Sequence, residues 1–187
     1  MKENSNHRLT IDCIYEALIQ LMKNRPFREI SITDITRKAG VSRMAYYRNY
    51  SDKKEILLHH LQEQMDQMEA RILTRQDLSK TDLWMDLLEI LQKDPIMHYL
   101  MEAGIVEESF QIHLNYLTRI YARLYGLDPE DTDTNIFIHR QLGSIFGCFL
   151  YMAHNKGVCS QEQIARHLIS IVESGILPAS QEPVIQV

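Results

Sequence analysis

The sequence predicts an all-α protein of about nine helices, a three-helix head followed by a helical-bundle body. Apolar residues recur three and four positions apart along most of the 187-residue chain, which is the period of an amphipathic helix. No segment alternates apolar and polar residues as a half-buried strand does. The 7 glycines and 5 prolines are few, as is typical of an ordered and mostly helical protein.

The first helix is predicted over residues 8–24. Arg25-Pro26 ends it, because the residue before a proline disfavours helical geometry. Phe27 and Ile30 are expected to fill the core of the head. The apolar stripe of this helix consists of Ile11, Ile14, Tyr15, Leu18, Leu21 and Met22.

The next segment combines two helix starts with a sharp turn. Ser31 and Asp34 have the spacing of a capping box, which predicts a helix beginning just after Ser31. Gly40 follows that helix, where the chain needs a residue tolerant of positive φ. Ser42 can cap the following helix by accepting a bond from a backbone N–H.

The helix after Ser42 has two different faces. Tyr46 and Tyr50 lie four apart on one face, and Arg43 and Tyr47 lie four apart on another. One pair can pack inward while the other presents a guanidinium and a phenol outward. A short helix of this kind after a tight turn is typical of the recognition helix that enters a DNA major groove.

A connecting helix is predicted from Lys53 to about Thr74. Asp52 and Glu55 have capping-box spacing at its start. The Lys53 charge in the first turn opposes the helix dipole, which suggests that it is placed for a partner such as phosphate. This helix is expected to transmit movement of the body to the head. Its apolar side consists of Leu57, Leu61, Met65, Met68 and Ile72.

Five further helices are predicted, and one of them is apolar on several faces. This helix, 132–155, must be buried on several faces, and Gly143 and Gly147 allow close approach of another helix. With helix 161–174 it is expected to pair with the same helices of a second chain. The predicted helices are 79–92, 96–103, 106–125, 132–155 and 161–174. The predicted dimer-interface residues are Phe137, Leu142, Ile145, Phe149, Ile164, Leu168 and Ile171.

Charge is divided unevenly along the chain. Residues 1–54 hold 11 Lys and Arg against 6 Asp and Glu, a net charge of +5, whereas the whole chain carries −5. The remainder of the chain therefore carries −10. A basic head on an acidic body is the electrostatic pattern of a protein whose head binds nucleic acid.

The segment around the turn has AGVS at 39–42, followed by Tyr47, Tyr50 and Lys53. At these residues it resembles the TetR family of bacterial transcriptional regulators. The resemblance implies that Tyr47 and Lys53 contact backbone phosphates and that Arg43 reaches base edges. It also implies that the last two helices form the dimer interface.

Three residues depart from the family pattern. Thr36 replaces a small alanine of the first helix of the motif, and Met44-Ala45 stands where a Gly-Thr or Gly-Ser pair is common. The alanine removes a hydroxyl that could contact phosphate or base. The predicted DNA-contact residues are Ser31, Thr33, Ser42, Arg43, Met44, Ala45, Tyr47, Arg48, Asn49 and Lys53.

The predicted division is a DNA-binding head of residues 1–52, a ligand-binding and dimerisation body of residues 53–177, and a disordered tail of residues 178–187. The body is rich in aromatic, Met and His side chains on facing helices, which suits a mostly apolar ligand pocket as well as an ordinary core. The candidate pocket residues are Trp84, Met97, Met101, His113, Tyr116 and Phe146.

Motifs for catalysis, metals and membranes are missing from the sequence. The eight histidines form no H-x-x-x-H or HExxH pattern, and there is no C-x-x-C, glycine-rich phosphate loop or G-x-S-x-G. We therefore expect no enzyme activity, no metal and no cofactor. No apolar run approaches ~18 residues, and the N-terminus lacks a secretory signal. Cys13, Cys148 and Cys159 indicate free thiols in the cytoplasm, with a redox pair of the last two left open.

The sequence thus predicts a homodimeric transcription regulator that binds a pseudo-palindromic operator in double-stranded DNA and responds to a small-molecule effector. The family resemblance favours a repressor released by its ligand, and an activator is the alternative. A second hypothesis is an architectural or protein-interaction module of the same fold without small-molecule control. An enzyme that borrows the fold is a third hypothesis, without a catalytic motif to support it.

Overall fold

The computed structural model describes residues 2–75 and 96–155, together with residues 158, 163, 166 and 167. These residues form seven α-helices and one 3-10 turn and contain no strand, which confirms the all-α class. Of the nine predicted helices, 79–92 lies outside the described residues and 161–174 almost entirely so. No described helix is long and apolar enough to cross a membrane. The helices are α1 (Lys2–Met22), α2 (Ile32–Ala39), α3 (Arg43–Tyr47), α4 (Lys54–Leu73), α5 (Ile96–Ala103), α6 (Val106–Tyr125) and α7 (Thr132–His154), with the 3-10 turn at Phe27–Glu29.

The chain divides into two compact units. The first comprises Met1–Glu63 and Ile96–Ser109, and the second comprises Gln64–Pro95 and Phe110–Val187. The first unit continues past residue 52, where the sequence placed the end of the head. The predicted boundaries at residues 52 and 177 stay predictions, and the predicted tail lies outside the described residues.

Helix α1 supplies much of the apolar core of the first unit. It begins at Lys2, earlier than the predicted residue 8. Ile14 and Leu18 are fully buried, and Phe27 and Ile30 are buried as predicted. Each large apolar side chain removed from water contributes about 1.5–3 kcal/mol. Helix α2 packs against α1 in this core, and α3 packs against α2.

Helix α4 begins at Lys54, one residue after the predicted start at Lys53. Its His60 ring stacks on the ring of Tyr15 from α1 with 3.6 Å between centroids. Its predicted apolar side is buried along the whole helix, as shown by Leu57, Leu61, Met65, Met68 and Ile72.

Aromatic contacts and an ion pair between Arg119 and Glu69 stabilise the described part of the second unit. Tyr121 of α6 meets Phe137 of α7 edge to face, with 5.4 Å between ring centroids. The Arg119 guanidinium donates two hydrogen bonds to Glu69 of α4, at 2.9 and 2.6 Å. Asp131 caps the start of α7 with its side chain.

Three residues predicted to lie in a dimer interface belong to the core of the single chain. Phe137, Leu142 and Ile145 are 6%, 1% and 5% exposed. Because α7 is apolar over a wide arc, the sequence alone does not show which part of that arc faces the chain's own core. The exposed side of α7 carries Ile136, Gly143, Gly147, Leu150 and Tyr151. The Phe149 side chain and Ile164, Leu168 and Ile171 lie outside the described part of the chain.

Candidate nucleic-acid interface

Helix α2 starts and ends through local contacts that the sequence predicted. The Ser31 hydroxyl accepts a hydrogen bond from the Asp34 N–H, and the Asp34 carboxylate accepts one from the Ser31 N–H, each at 3.1 Å. The Ser31 hydroxyl also donates to the Asp34 carboxylate at 2.7 Å, and this bond, together with the one from the Ser31 N–H, holds the pKa of Asp34 below its usual range, with help from nearby arginines. Gly40 then adopts φ 68°, in the left-handed region, which only glycine enters without strain. The capping box and the glycine turn are therefore confirmed.

Helix α3 is short and has one buried face. The Ser42 side chain accepts a hydrogen bond from the Ala45 N–H at 3.0 Å and so caps the helix as predicted. Tyr46 and Tyr50 are 0% and 4% exposed, whereas Tyr47 is 50% exposed. Burial raises the pKa of both inner tyrosines. The predicted inner and outer sides are present, but α3 ends at Tyr47, so Tyr50 follows the helix instead of lying in it as predicted.

Arg43, on the exposed surface of α3, forms a hydrogen bond with α2. Its guanidinium donates to Thr33 Oγ1 at 3.0 Å and to the Tyr47 hydroxyl at 3.4 Å. The guanidinium carbon also lies 5.9 Å from the centroid of the Tyr47 ring. These contacts place three of the predicted DNA-contact residues on one surface, with an arginine suited to bidentate contact with guanine.

The residues that follow α3 add two more predicted contact residues. The Arg48 guanidinium donates to the Met44 sulfur at 3.6 Å, and the Asn49 amide donates to the Ala45 carbonyl at 2.8 Å. Arg48 and Met44 are exposed, and Asn49 is half-buried. Of the other predicted residues, Ser31 and Ser42 are exposed helix caps.

The Lys53 ammonium forms hydrogen bonds within the first unit that the sequence did not predict. It donates hydrogen bonds to the carbonyl oxygens of Phe27 at 2.6 Å, Arg28 at 3.3 Å and Ile30 at 2.7 Å. An ammonium has three N–H bonds, so all of them have acceptors inside the first unit. Burial lowers the pKa of Lys53, while the charge of Asp52 opposes this. The predicted phosphate contact of Lys53 stays a prediction, because the structure gives the charge a partner within the domain.

The start of α4 shows one half of the predicted Asp52–Glu55 capping box, while the Glu55 carboxylate binds Ser51. The Asp52 carboxylate accepts hydrogen bonds from the backbone N–H groups of Lys54 at 2.6 Å and Glu55 at 3.2 Å. The Glu55 carboxylate accepts from the Ser51 N–H at 2.6 Å and also from the Ser51 hydroxyl. These bonds lower the pKa of Glu55. The Glu55 carboxylate thus binds the backbone N–H of Ser51, the residue before Asp52.

A polar cavity of about 460 Å³ lies beside this region in the first unit. An ion pair joins Arg8 of α1 to Glu63 of α4 on its wall, and the Tyr50 hydroxyl lies 2.9 Å from His59 Nδ1. Sequence reasoning missed this cavity, since it brings together residues such as Arg8 and Glu63, which are 55 positions apart and carry no local signal. The lining residues are His7, Arg8, Ile11, Arg48, Asn49, His59 and Glu63.

The predicted ligand-pocket residues fall in both units. Met97 and Met101 belong to α5 in the first unit, where Met97 is buried. In the second unit, the buried His113 meets Phe146 edge to face with 5.3 Å between ring centroids. Tyr116 is also buried there. Trp84 lies outside the described residues, so the predicted pocket stays a prediction.

The first unit contains a helix-turn-helix of the DNA-binding class. Its parts are the capped α2, the left-handed glycine and the capped α3, which exposes Arg43 and Tyr47. Residues 14–59 match the family described as bacterial regulatory proteins, tetR family. The match covers the N-terminal helix-turn-helix segment, and it is in this segment that the chain is similar to the family. The resemblance found in the sequence is therefore confirmed.

Known proteins resemble the chain to different extents. The Transposon Tn10 TetC protein of Escherichia coli is 30% identical over 103 residues, which cover 52% of this chain. The chain spans about half the length of this curated relative, 49%.

Solved TetR structures share the fold over nearly the whole chain. A TetR transcriptional regulator from Rhodococcus sp. RHA1 has a TM-score of 0.61 at 16% identity, over 94% of this chain and 100% of that one. The regulator FadR from Bacillus subtilis, in complex with stearoyl-CoA, has a TM-score of 0.59 at 17% identity, over 91% of this chain and 99% of that one. At these identities the likeness is one of fold.

Proposed function

We propose that the protein is a homodimeric transcriptional repressor that binds a pseudo-palindromic operator and is released from it by a small-molecule ligand. The observation that carries this proposal is the surface of α3, where Arg43, Met44 and Tyr47 are exposed while the opposite face is buried. A recognition helix needs this arrangement, since one face holds it on the domain and the other contacts base edges. The net charge of +5 on residues 1–54 favours attraction to DNA phosphates.

The exposed side of α7 supports a dimer. Ile136, Leu150 and Tyr151 are 61%, 40% and 50% exposed. At Gly143 and Gly147 on the same side, an added Cβ would meet nothing within 4 Å in the single chain. A second copy of the chain would remove this apolar side from water. A dimer would also supply two recognition helices for half-sites about 34–36 Å apart, or a multiple of that distance.

A small-molecule effector is supported by the aromatic interior of the second unit. His113, Phe110 and Phe146 form edge-to-face contacts there, with centroid distances of 5.3 Å and 5.0 Å to Phe146. Aromatic walls with a polar nitrogen suit an amphipathic ligand. The FadR structure with stearoyl-CoA makes acyl-CoA thioesters a rational first class to test. A ligand would act by favouring a conformation in which the two heads no longer fit successive major grooves.

An activator and an architectural DNA-binding protein are the alternatives. Both would use the same α3 surface, so operator binding alone does not separate them from a repressor. Transcription from a promoter carrying the operator separates repression from activation. A lack of response to any ligand would favour the architectural alternative.

The direct test starts with selection of bound sequences from a random duplex library by the purified full-length protein. We expect an enriched inverted repeat, and affinity for it that falls with salt. Arg43→Ala should weaken binding to that repeat far more than binding to random duplex. Arg123→Ala, which changes an exposed arginine of α6, is the matched control and should leave both affinities unchanged.

The effector is tested by thermal shift and by release of the selected operator, using stearoyl-CoA and shorter acyl-CoA thioesters against free CoA. A thioester that raises the melting temperature and releases DNA supports ligand control. Failure to select any sequence would contradict the proposed function as a whole. Selection without ligand response would contradict only its ligand-controlled part.

A further inference from the structure

Met44 is an exposed apolar side chain in the middle of a polar surface. It is 67% exposed and belongs to the outer face of α3, together with Arg43 and Tyr47. The Arg48 guanidinium donates to its sulfur at 3.6 Å, which favours one placement of a side chain that is otherwise flexible. The structure therefore presents a thioether outward, between two arginines of the recognition helix.

The major groove offers this side chain one kind of apolar partner. Guanine, adenine and cytosine display hydrogen-bond donors and acceptors there, and thymine alone displays a methyl group. Met44 and Ala45 have no side-chain donor, so these two positions do not recognise a base edge by donating a hydrogen bond. We propose that Met44 recognises a thymine in each operator half-site by contact with its C5 methyl group. This inference rests on the proposed function and names a base that the recognition helix selects.

The neighbouring contacts leave Met44 free for this role. Arg43 is held on one side by Thr33 and Tyr47, and its guanidinium is suited to guanine or phosphate. Arg48 lies on the other side of Met44 and is exposed. Both guanidinium groups would lie against polar parts of the DNA. Without a thymine methyl group, the Met44 thioether between them would be buried against polar groups and would have no apolar contact.

The size of the effect follows from burial of one methyl group. Removing a methyl from water contributes about 0.8 kcal/mol, which is about a four-fold change in affinity at 1.4 kcal/mol per factor of ten. With two half-sites bound by a dimer, removal of both methyl groups should weaken binding roughly sixteen-fold.

The test uses the operator selected from the random library. Each thymine is replaced in turn by deoxyuridine, which lacks only the methyl group, and affinity is measured for the full-length protein. We expect one thymine in each half-site whose replacement weakens binding about four-fold. Met44→Ala changes both subunits of the dimer, so it should bind the original operator about as weakly as the wild type binds an operator in which both of these thymines are replaced. It should then show no further weakening on substitution.

Two further variants make the result specific. Met44→Leu keeps an apolar side chain and should retain discrimination against deoxyuridine, whereas Met44→Gln should lose it. Leu73→Ala, at an exposed apolar residue of α4, is the control and should discriminate as the wild type does. Equal melting temperatures would show that the variants are folded.

Each outcome decides between the inference and the function on which it rests. If no deoxyuridine weakens binding, or if Met44→Ala still discriminates, the thymine contact is wrong while operator binding stands. If the wild-type protein selects no sequence, the proposed function fails and the thymine contact fails with it.

Discussion

Lys53 and Phe27 are joined twice, although they lie 26 residues apart. The Lys53 ammonium donates a hydrogen bond to the Phe27 carbonyl oxygen at 2.6 Å, and the same nitrogen lies 4.4 Å from the centroid of the Phe27 ring. The Phe27 N–H in turn donates to the Glu102 carboxylate of α5 at 3.2 Å. The 3-10 turn thus connects the start of α4 with α5 inside the first unit.

Replacing Lys53 should destabilise the protein. In Lys53→Met, three carbonyl oxygens lose their hydrogen bond from the ammonium while the alkyl stem is kept. Hydrogen bonds to charged groups contribute about 1.5–3 kcal/mol, so we expect a decrease of that order in the free energy of unfolding, measured by urea denaturation. Lys54→Met is the matched control. Its ammonium lies 3.5 Å from Glu108 at a surface where both side chains are nearly half exposed, and such pairs contribute at most about 1 kcal/mol.

The same variant distinguishes a structural lysine from a phosphate contact. If Lys53 remains bonded to the 3-10 turn when DNA is bound, Lys53→Met should leave the salt dependence of operator affinity unchanged. If the ammonium moves to a phosphate, the slope of log affinity against log salt should fall by about one for each phosphate that the lysine neutralised. A lower slope with unchanged stability would contradict the structural role.

These bonds show which features a sequence can predict. The Ser31–Asp34 box and Ser42 cap act within three residues, and Gly40 is required by the backbone of the turn itself. Local signals of this kind were sufficient for both ends of α2 and for the start of α3. The hydrogen-bond partners of the Lys53 ammonium depend on packing between distant segments. The sequence near Lys53 therefore does not predict them.

Thr33 should position Arg43 for DNA binding. Thr33→Val removes the hydroxyl that accepts from the Arg43 guanidinium at 3.0 Å, with almost no change in shape. The Arg43 side chain then loses more conformational entropy when it binds DNA. We therefore expect the free energy of operator binding to weaken by about 0.5–1.5 kcal/mol, the usual contribution of one hydrogen bond. Fluorescence anisotropy with labelled operator measures the effect. Thr74→Val, at an exposed position at the end of α4, should bind normally.

An unchanged affinity in Thr33→Val would mean that the hydrogen bond with Thr33 is broken in the complex. The double variant with Arg43→Ala provides the second measurement. If Thr33 acts only through Arg43, adding Thr33→Val to Arg43→Ala should have no further effect.

The Asp34 capping box should make stability depend on acid pH. Its hydrogen bonds with Ser31 lower the pKa of Asp34 below the ordinary value of 3.8. Because the folded pKa is the lower one, the unfolded chain takes up the proton first as the pH falls. The contribution of Asp34 is therefore complete above pH 3.8 and is lost as the pH falls through the folded pKa.

Thermal unfolding of wild type and Asp34→Asn between neutral and acid pH tests this dependence. The stability difference between them should be largest near neutral pH and should shrink in acid. Glu16→Gln, at an exposed carboxylate of α1, serves as the control. A difference from wild type that stays constant with pH in Asp34→Asn would show that the carboxylate charge has no part in the cap.

The role of α7 was harder to predict than that of α2 because its sequence is apolar on several faces. A buried face and a face that binds a second chain use the same residue types. Only the structure separates the buried Leu142 and Ile145 from the exposed Leu150 and Tyr151. The dimer interface therefore needs its own test, and Gly147 is the position best suited to it.

Substitution of Gly147 should affect assembly and not the fold of the single chain. An added Cβ meets nothing within 4 Å in the protomer, and alanine is about 1 kcal/mol more favourable than glycine within a helix. In a close interface between two α7 helices, however, a larger side chain would hold the backbones apart. Overpacking of this kind costs about 1–3 kcal/mol.

We expect Gly147→Ala to weaken the dimer slightly and Gly147→Leu to raise its dissociation constant about 10- to 100-fold, as measured by sedimentation velocity over a concentration series. Circular dichroism should show unchanged helix content in both variants. If Gly147→Leu dimerises as the wild type does, this side of α7 is not the interface, and the exposed Ile136 and Tyr151 need another partner.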